Sequence, residues 1–490
     1  MKNKRVMWIA AITLLVSAWL LIADDFLPGG NSRDSGLSGN ETDAEQAPHK
    51  KKLRFAFSYS GHMGIIQDIV NDYNRNNEDG IEIELLDIPQ EQYIFHLNRM
   101  MTSGDGPDVM AIPNDWLIVY AYKNWLKELS DVMVAGFLNR FSDWAVAYAN
   151  NPLFSGKWYT IPSTVMIQRF IYNNDLMRKS GLTPNEPPLT LEELRSKAKA
   201  ISDEGFGSSK YGFALPVGEE RVAFVQNMET ANTYSGVYYY NYKTGTYDVS
   251  VNRPWLQAML DMKREGILFP GETSLKQETA RAQFAEGNIG MMYANSGDAS
   301  ILHYKYQINL DWGVSMPPAL SKDDIGAGKL MMVPEPSIGI NADTQHAKEA
   351  LLFWDYLHSE EFLGQLLRKG AAIPTLKGIF GNPAYKPSLA HFEDFLPTEA
   401  DAPYPQLPQI IDYYLPNPIE PVYVGDRPRL KAYTSIFEEA KTIQEVIDEE
   451  NRRLNEIIKF AVRERKLNLN NYRDPAFNPL EPPYELQAAP

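Results

Sequence analysis

Cysteine is absent from all 490 residues. Its absence excludes disulfides, thiolate zinc sites, a cysteine nucleophile and lipid attachment through sulfur. Histidine is scarce: the seven, at His49, His62, His96, His303, His346, His358 and His391, follow no metal-ligand spacing, so no metal site is expected. Positive charge is also short. Forty-seven Lys and Arg face 63 Asp and Glu, a net charge of −16 that repels nucleic-acid phosphates and leaves no nucleic acid among the expected partners. No nucleophile elbow, Walker loop or calcium loop occurs, and no cofactor is expected. "GFGSSKYG" (205–212) has the glycines of a phosphate loop but lacks the second glycine in place and leads into a strand. A carboxylate pair for glycoside cleavage is defined in space, not in sequence, and stays open among the 63 acids.

What is present is enough apolar residue, 44%, to bury a large core. At roughly 150 residues per domain, the length suits about three units or two lobes with additions. The chain begins with Lys2, Lys4 and Arg5, an uncharged run from Val6 to Ala23, then Asp24 and Asp25. Positive flanks stay in the cytoplasm, which places everything after residue 24 outside the cell. Eighteen helical residues rise roughly 27 Å, near a bilayer's hydrocarbon thickness. Residues 1–23 therefore read as a membrane anchor or, if cleaved, a signal segment. Residues 24–52 are almost free of aromatic and branched apolar side chains and read as a disordered linker.

From residue 53 the pattern becomes periodic. "LRFAFSY" and "IEIELLDI" alternate as strands, and "DVMAI" is a third. Between them, "HMGIIQDIVNDYNRNN" and "QEQYIFHLNRMMTSG" carry apolar residues at three and four spacing, as amphipathic helices do. Strand, helix, strand, helix, strand is a parallel doubly wound unit, whose ligands bind at the carboxyl ends of the strands. "TSGDGP" is the turn from helix to strand, with Gly104 and Gly106 expected to supply positive φ, and Asp105 and Asp108 expected to be structural. "PPLTLEELRSKAKAIS" is a helix capped by Thr190. A buried strand "YGFALPV", a helix "WLQAMLDMKREGIL" and a helix, strand and polar loop in "ETARAQFAEGNIGMMYANSGDAS" follow. "WGVSMPPA" and "PSIGIN" read as strands, "HAKEALLFWDYLHSEEFLGQLLRKG" as one or two helices, and "SIFEEAKTIQEVIDEENRRLNEIIKFAVRER" as one long docked helix.

The order and wording of seven segments resemble the extracellular solute-binding proteins of ABC importers (family 1), the class that includes maltose-binding protein. They are "GDGPDVMAIPNDW", "LKELSD", "WYTIPSTVMIQRFIYNNDLMRKSGL", "PPLTLEELRSKAKAIS", "FAEGNIGMMYANSG", "GINADTQHAKEALLFWDYLHSEE" and "AAIPT". The resemblance implies an α/β, two-lobed periplasmic-binding-protein-like fold with doubly wound sheets and a hinge cleft. It divides residues 53–465 into a first lobe (about 53–160 with a return near 300–340) and a second (about 161–295 with 341–465), followed by an irregular tail, 466–490. It implies a non-enzymatic, monomeric protein that captures a carbohydrate, in the first instance an oligosaccharide, at the cell's outer face and delivers it to an ABC permease. The rival readings are a membrane-anchored sensing ectodomain for a receptor kinase and a carbohydrate-cleaving enzyme.

The resemblance also selects site residues. Asp115 and Trp116 follow the third strand, where a carboxylate accepts sugar hydroxyls and an indole stacks on a pyranose; the competing reading is a helix cap and a packed ring. Ser60 and His62 match the first contact loop, against a solvated cap and a surface imidazole. Glu219, Glu220 and Arg221 follow "YGFALPV", against a plain turn. Gly297, followed by Asp298, stands where the family commonly has a sugar-platform Trp, and Met166 where the maltose-binding type has an acid. Both departures weigh against maltodextrin. Tyr404, Tyr413, Tyr414 and Tyr423 are candidate replacement platforms, against surface packing, and Trp158, Trp255, Trp312 and Trp354 are expected in the core.

Overall fold

The computed structural model describes residues 50–57, 62–89, 92–218, 223–409 and 426–481, so the expectations for residues 1–49 lie outside the described residues. In chain order the described strands are β1 (Lys51–Ala56), β2 (Ile81–Leu86), β3 (Val109–Ile112), β4 (Thr164–Met166), β5 (Gln168–Asn173), β6 (Tyr211–Phe213), β7 (Tyr240–Asn241), β8 (Thr246–Tyr247), β9 (Ile289–Asn295), β10 (Trp312–Ser315), β11 (Leu330–Pro334), β12 (Ser337–Ile340), β13 (Ile373–Pro374) and β14 (Asp401–Pro403). They form sheets ordered β12-β3-β1-β2, β10-β5-β9-β6 and β13-β4-β11-β14, and the hairpin β7-β8.

The first sheet is the doubly wound unit the periodicity predicts. β1 runs parallel to β2 and β3, with helices Met63–Asn76 and Tyr93–Ser103 as the crossovers. In β2, Ile81 and Ile83 are buried while Glu82 and Glu84 are exposed, the alternation of a strand covered on one face. All four residues of β3 are buried. Its entry turn is backbone engineering: Gly104 ends the preceding helix at φ 76°, a left-handed conformation open to glycine. Gly106 has no positive φ, contrary to expectation. It is needed because a Cβ there would lie 2.4 Å from Met101 Sδ and 2.8 Å from Asn341 Nδ2. Asp108 Oδ2 accepts the Arg54 amide at 2.8 Å and Asp105 pairs with Arg54 at 2.7 Å, so both acids are structural.

β12 closes this sheet antiparallel to β3, and the two helices after it, Ala347–Leu357 and Glu360–Arg368, pack on the same layer. Trp354 Nε1 donates to Ile338 O at 2.8 Å. The segment after residue 341, placed with the second lobe from sequence, thus joins the first sheet, because its apolar stripe matches that sheet's uncovered face. The second sheet centres on β5 and β9, antiparallel to each other and both nearly wholly buried. Helix Leu191–Glu204 covers it, capped by Thr190 Oγ1, which accepts from the Glu193 amide at 3.2 Å.

The third sheet is made of the passages between the two halves. β4 leads from the first half into β5; β11 leads back toward β12; β13 and β14 flank the last passage. A buried ion pair locks the last passage to the second sheet. Arg169 in β5 reaches Asp401 with two bonds of 2.7 Å, and its other donors serve the carbonyls of Gln168, Asp394 and Leu396 at 2.9 to 3.2 Å. Both side chains are 1% exposed; such a pair tolerates burial because every donor is satisfied.

Two local readings need correction. The stretch after β9 is a short helix, Ser296–Ser300, not a polar loop, because Asn295 and Asp298 form a capping box. The single terminal helix is two, Asp426–Phe437 and Ile443–Arg463, broken where Glu439 takes φ 57° and Thr442 with Glu445 starts the second helix by a capping box. The docked stripe stands, with Ile443, Ile447, Leu454 and Ala461 buried. The tail is irregular yet anchored: Leu467 and Tyr472 are buried, and the Asp474 amide donates to Tyr242 O at 2.9 Å. Helix Ala223–Tyr234 and the β7-β8 hairpin were not legible in the pattern. Trp255, Trp312 and Trp354 are in the core, as expected.

Candidate functional site

The carboxyl ends of β1, β3 and β9 converge on the third sheet. Past β1, His62 is 4% exposed, not the surface imidazole that was the alternative. It shares a 2.5 Å hydrogen bond between Nε2 and Ser300 Oγ, on the helix that follows β9. Burial first, then the positive charge of Arg281, hold its pKa down at about 4. The ring also explains Gly297, whose added Cβ would lie 3.0 Å from His62 Cε1. The imidazole occupies the space a larger residue at 297 would enter. Three of the expected site residues, His62, Gly297 and Asp298, therefore gather at one place.

Asp298 does not present a free carboxylate there. It is 1% exposed, with Oδ1 accepting from Arg281 Nε at 2.5 Å and Oδ2 from the Asn295 amide at 2.8 Å. Its chemistry is spent on the cap and the ion pair, so its reading as a ligand residue is corrected.

Past β3, Asn114 opens helix Asn114–Tyr122, and its Nδ2 donates to Pro334 O at 2.8 Å and Glu335 O at 3.1 Å. This side chain ties the end of β3 to the passage between β11 and β12. Asp115 is partly exposed in the first turn, where an acid also complements the helix dipole. Its charge acts on Tyr148: burial first, then Asp115, push that phenol up to about 12. Trp116 is corrected. It is 2% exposed, packed in a cluster with Tyr93, Ile112 and Tyr120, and leaves no ring face for a sugar, because every residue of the helix from 116 to 121 is buried. Ser60, Glu219, Glu220, Arg221, Tyr413, Tyr414 and Tyr423 lie outside the described residues.

Cavities open around these strand ends. One of about 20 Å³ is lined by Phe57, His62, Thr164 and Pro336, backed by apolar residues. A second of about 10 Å³ lies among Asn114, Tyr148, Asn151, Thr160, Gln406 and Gln409. Here the halves touch through polar contacts: Asn151 Nδ2 donates to Gln409 Oε1 at 2.7 Å, and Gln406 Nε2 to Tyr148 O. A third of about 270 Å³ runs from helix Asp143–Ala149 to the tail, with Tyr404 in its wall. Sequence reasoning passed over Tyr148, Asn151, Gln406 and Gln409. Their signal, an aromatic and amides at the ends of "DWAVAYANN" and "PYPQLPQ", carries no fixed spacing. Among the described residues no group of His, Asp and Glu is placed to hold a metal ion, and no helix is long and apolar enough to cross a membrane.

Two α/β halves, joined by a sheet of passages and meeting at their strand ends, define the architecture of a hinged ligand-binding protein. Residues 59–362 match the model of the bacterial extracellular solute-binding proteins, and the chain belongs to that family. A galactooligosaccharide-binding protein of Bacillus subtilis (strain 168) is 22% identical over 391 residues, 77% of this chain and 86% of that protein. A maltotriose-binding protein of Pyrococcus abyssi is 24% identical over 298 residues, 59% of each. Among solved structures, maltose-bound MalE3 of T. maritima superposes with a TM-score of 0.67 at 19% identity, over 84% of this chain and 99% of that one. RafE in complex with raffinose gives 0.60 at 17% identity, over 83% and 99%. These likenesses establish the two-lobed fold.

Proposed function

We propose that the protein captures a carbohydrate, an oligosaccharide by preference, in the cleft between its lobes and passes it unchanged to an ABC permease. The observation that carries this is the convergence of the β1, β3 and β9 ends on a sheet of three interlobe passages, a geometry whose rotation opens and closes a cleft. The sugars named for the galactooligosaccharide, maltotriose, maltose and raffinose relatives support the ligand class. Asp115 is the proposed hydroxyl acceptor, with Ser60, Glu219, Glu220 and Arg221 as further contacts. The first lobe is assigned residues 53–160 with β12 and the two helices after it, and the second residues 161–333 with the chain from β14 onward. The protein acts as a monomer at the outer face of the membrane, held there through Val6 to Ala23.

The test is a glycan panel. Saturable thermal shifts with glycans recovered intact support capture; appearance of shorter products would refute the non-enzymatic reading. Asp115→Ala should weaken the best ligand about tenfold or more, as expected for one lost charge-assisted hydrogen bond. Wild-type affinity in that variant would remove Asp115 from the site.

A further inference from the structure

The segment after β14, residues 404–409, crosses from the second half to the first, and its two ends are held differently. Its root is fixed to the second half. Just before it, Asp401 takes the two bonds from Arg169; Tyr404 Oη then donates to Lys329 O at 3.0 Å, and Tyr242 Oη donates to Pro405 O at 2.7 Å. Its tip meets the first half through amides: Gln406 Nε2 donates to Tyr148 O, and Gln409 Oε1 accepts from Asn151 Nδ2 at 2.7 Å.

Behind the tip the segment stands off the first half. The cavity of about 270 Å³ separates residues 403–406 and the tail from helix Asp143–Ala149. Contact closes at the tip, where only about 10 Å³ remains among Asn114, Tyr148, Asn151, Gln406 and Gln409. Ile457 of helix Ile443–Arg463 adds a small apolar contact, packing against the first-half cluster that contains Phe154. Parting the halves here therefore exposes little apolar surface and exchanges amide hydrogen bonds for bonds to water. That exchange is nearly balanced, each hydrogen bond being worth a factor of roughly five.

We propose that residues 404–409 are a clasp: rooted on the second lobe, they hold the first through the amides of Gln406 and Gln409, and the strength of those bonds sets the fraction of molecules whose cleft is closed. Asn151, Gln406 and Gln409 are positioning residues, acting on a ligand through closure without touching it. Affinity for a cleft ligand then scales with the closed fraction. This last consequence rests on the capture reading; the closure itself does not.

The test measures closure with no ligand added, so its failure and the failure of capture are distinguishable. Because the chain has no cysteine, Lys348→Cys and Ser196→Cys, exposed positions on the first and second halves, give two unique spin-label sites in the full chain. Electron–electron distances and small-angle scattering then follow the separation of the halves, with melting temperature checking each fold. Gln406→Ala and Gln409→Ala should each raise the population at long distance about fivefold, as for one lost neutral hydrogen bond. Gln409→Glu keeps an acceptor for Asn151 and should stay near the wild type. Asn151→Asp with Gln409→Glu sets two carboxylates face to face and should open the molecule most, whereas Asn151→Asp with Gln409→Lys should close it again. Distances and scattering unchanged across the series, or changes that follow lost melting temperature instead of the charge pairing, overturn the proposal.

Discussion

His62 is buried neutral, bonded to Ser300 across the meeting of β1 and β9, and this makes stability depend on pH in a defined window. Its folded pKa is about 4 against 6.5 for an ordinary histidine, so between those values the unfolded chain binds a proton that the folded chain does not. Folding is therefore penalised as pH falls below 6.5, and the penalty is complete at about 4. A difference of 2.5 units at 1.36 kcal/mol each amounts to about 3 kcal/mol in full, and about 2 kcal/mol at pH 5. For a folded body of this size, with an unfolding entropy of roughly 2.1 cal/mol/K per residue, the pH 5 share lowers the melting temperature by about 2 °C. The assay is thermal unfolding in steps from pH 7.5 to 4.5, comparing wild type with His62→Gln. The variant keeps a hydrogen-bonding side chain but cannot titrate, so the difference between the curves should shrink by about 2 °C on going from pH 7 to 5. Parallel curves across that window would refute the buried, neutral imidazole. His358, held down at about 3 by burial, adds a second contribution in the same direction that persists in both proteins and cancels in the comparison.

Other expectations follow from packing. Arg169→Met leaves Asp401 buried without its cation and should cost about 3–5 kcal/mol in denaturant unfolding, much of it regained when Asp401→Leu is added. Gly297→Ala brings a Cβ to 3.0 Å from His62 Cε1, and a cycle with His62→Ala should show coupling of about 0.5 kcal/mol or more. Thr442→Ala removes the capping hydroxyl of the last long helix and should lower stability by about 1 kcal/mol.

Period and punctuation made much of the fold legible. The alternation of "IEIELLDI" and the stripe through Ile66, Ile69, Val70 and Tyr73 follow directly from one covered face. The two-residue strands of the β7-β8 hairpin escaped because two residues cannot establish a period, and β11 escaped because its partners, β4 and β14, are distant in the chain. The terminal break was written in "TIQE", a capping box overlooked inside a continuous apolar stripe. At the site, strand order pointed to the carboxyl ends of β1 and β3, but not to how deeply each side chain there is buried: Asp115 stays partly exposed while Trp116, one position on, is buried. Asp298 failed as a ligand residue because its partner, Arg281, is close only in space. A charge count in sequence cannot reveal that.

The place of β12 bears on how the molecule is made. It pairs with β3, yet more than two hundred residues separate Ile112 from Ser337. Until that late segment emerges, β3 has an unpaired edge of hydrogen-bonding groups beside an apolar face, the condition under which strands join wrong partners. Neither lobe is a contiguous piece of chain, so neither can be completed early and set aside. Truncation anywhere before residue 340 should leave the first sheet open rather than yield a sound half-molecule. The early half must be kept from pairing elsewhere until the late half arrives, and assembly of the two lobes is in this sense a single event.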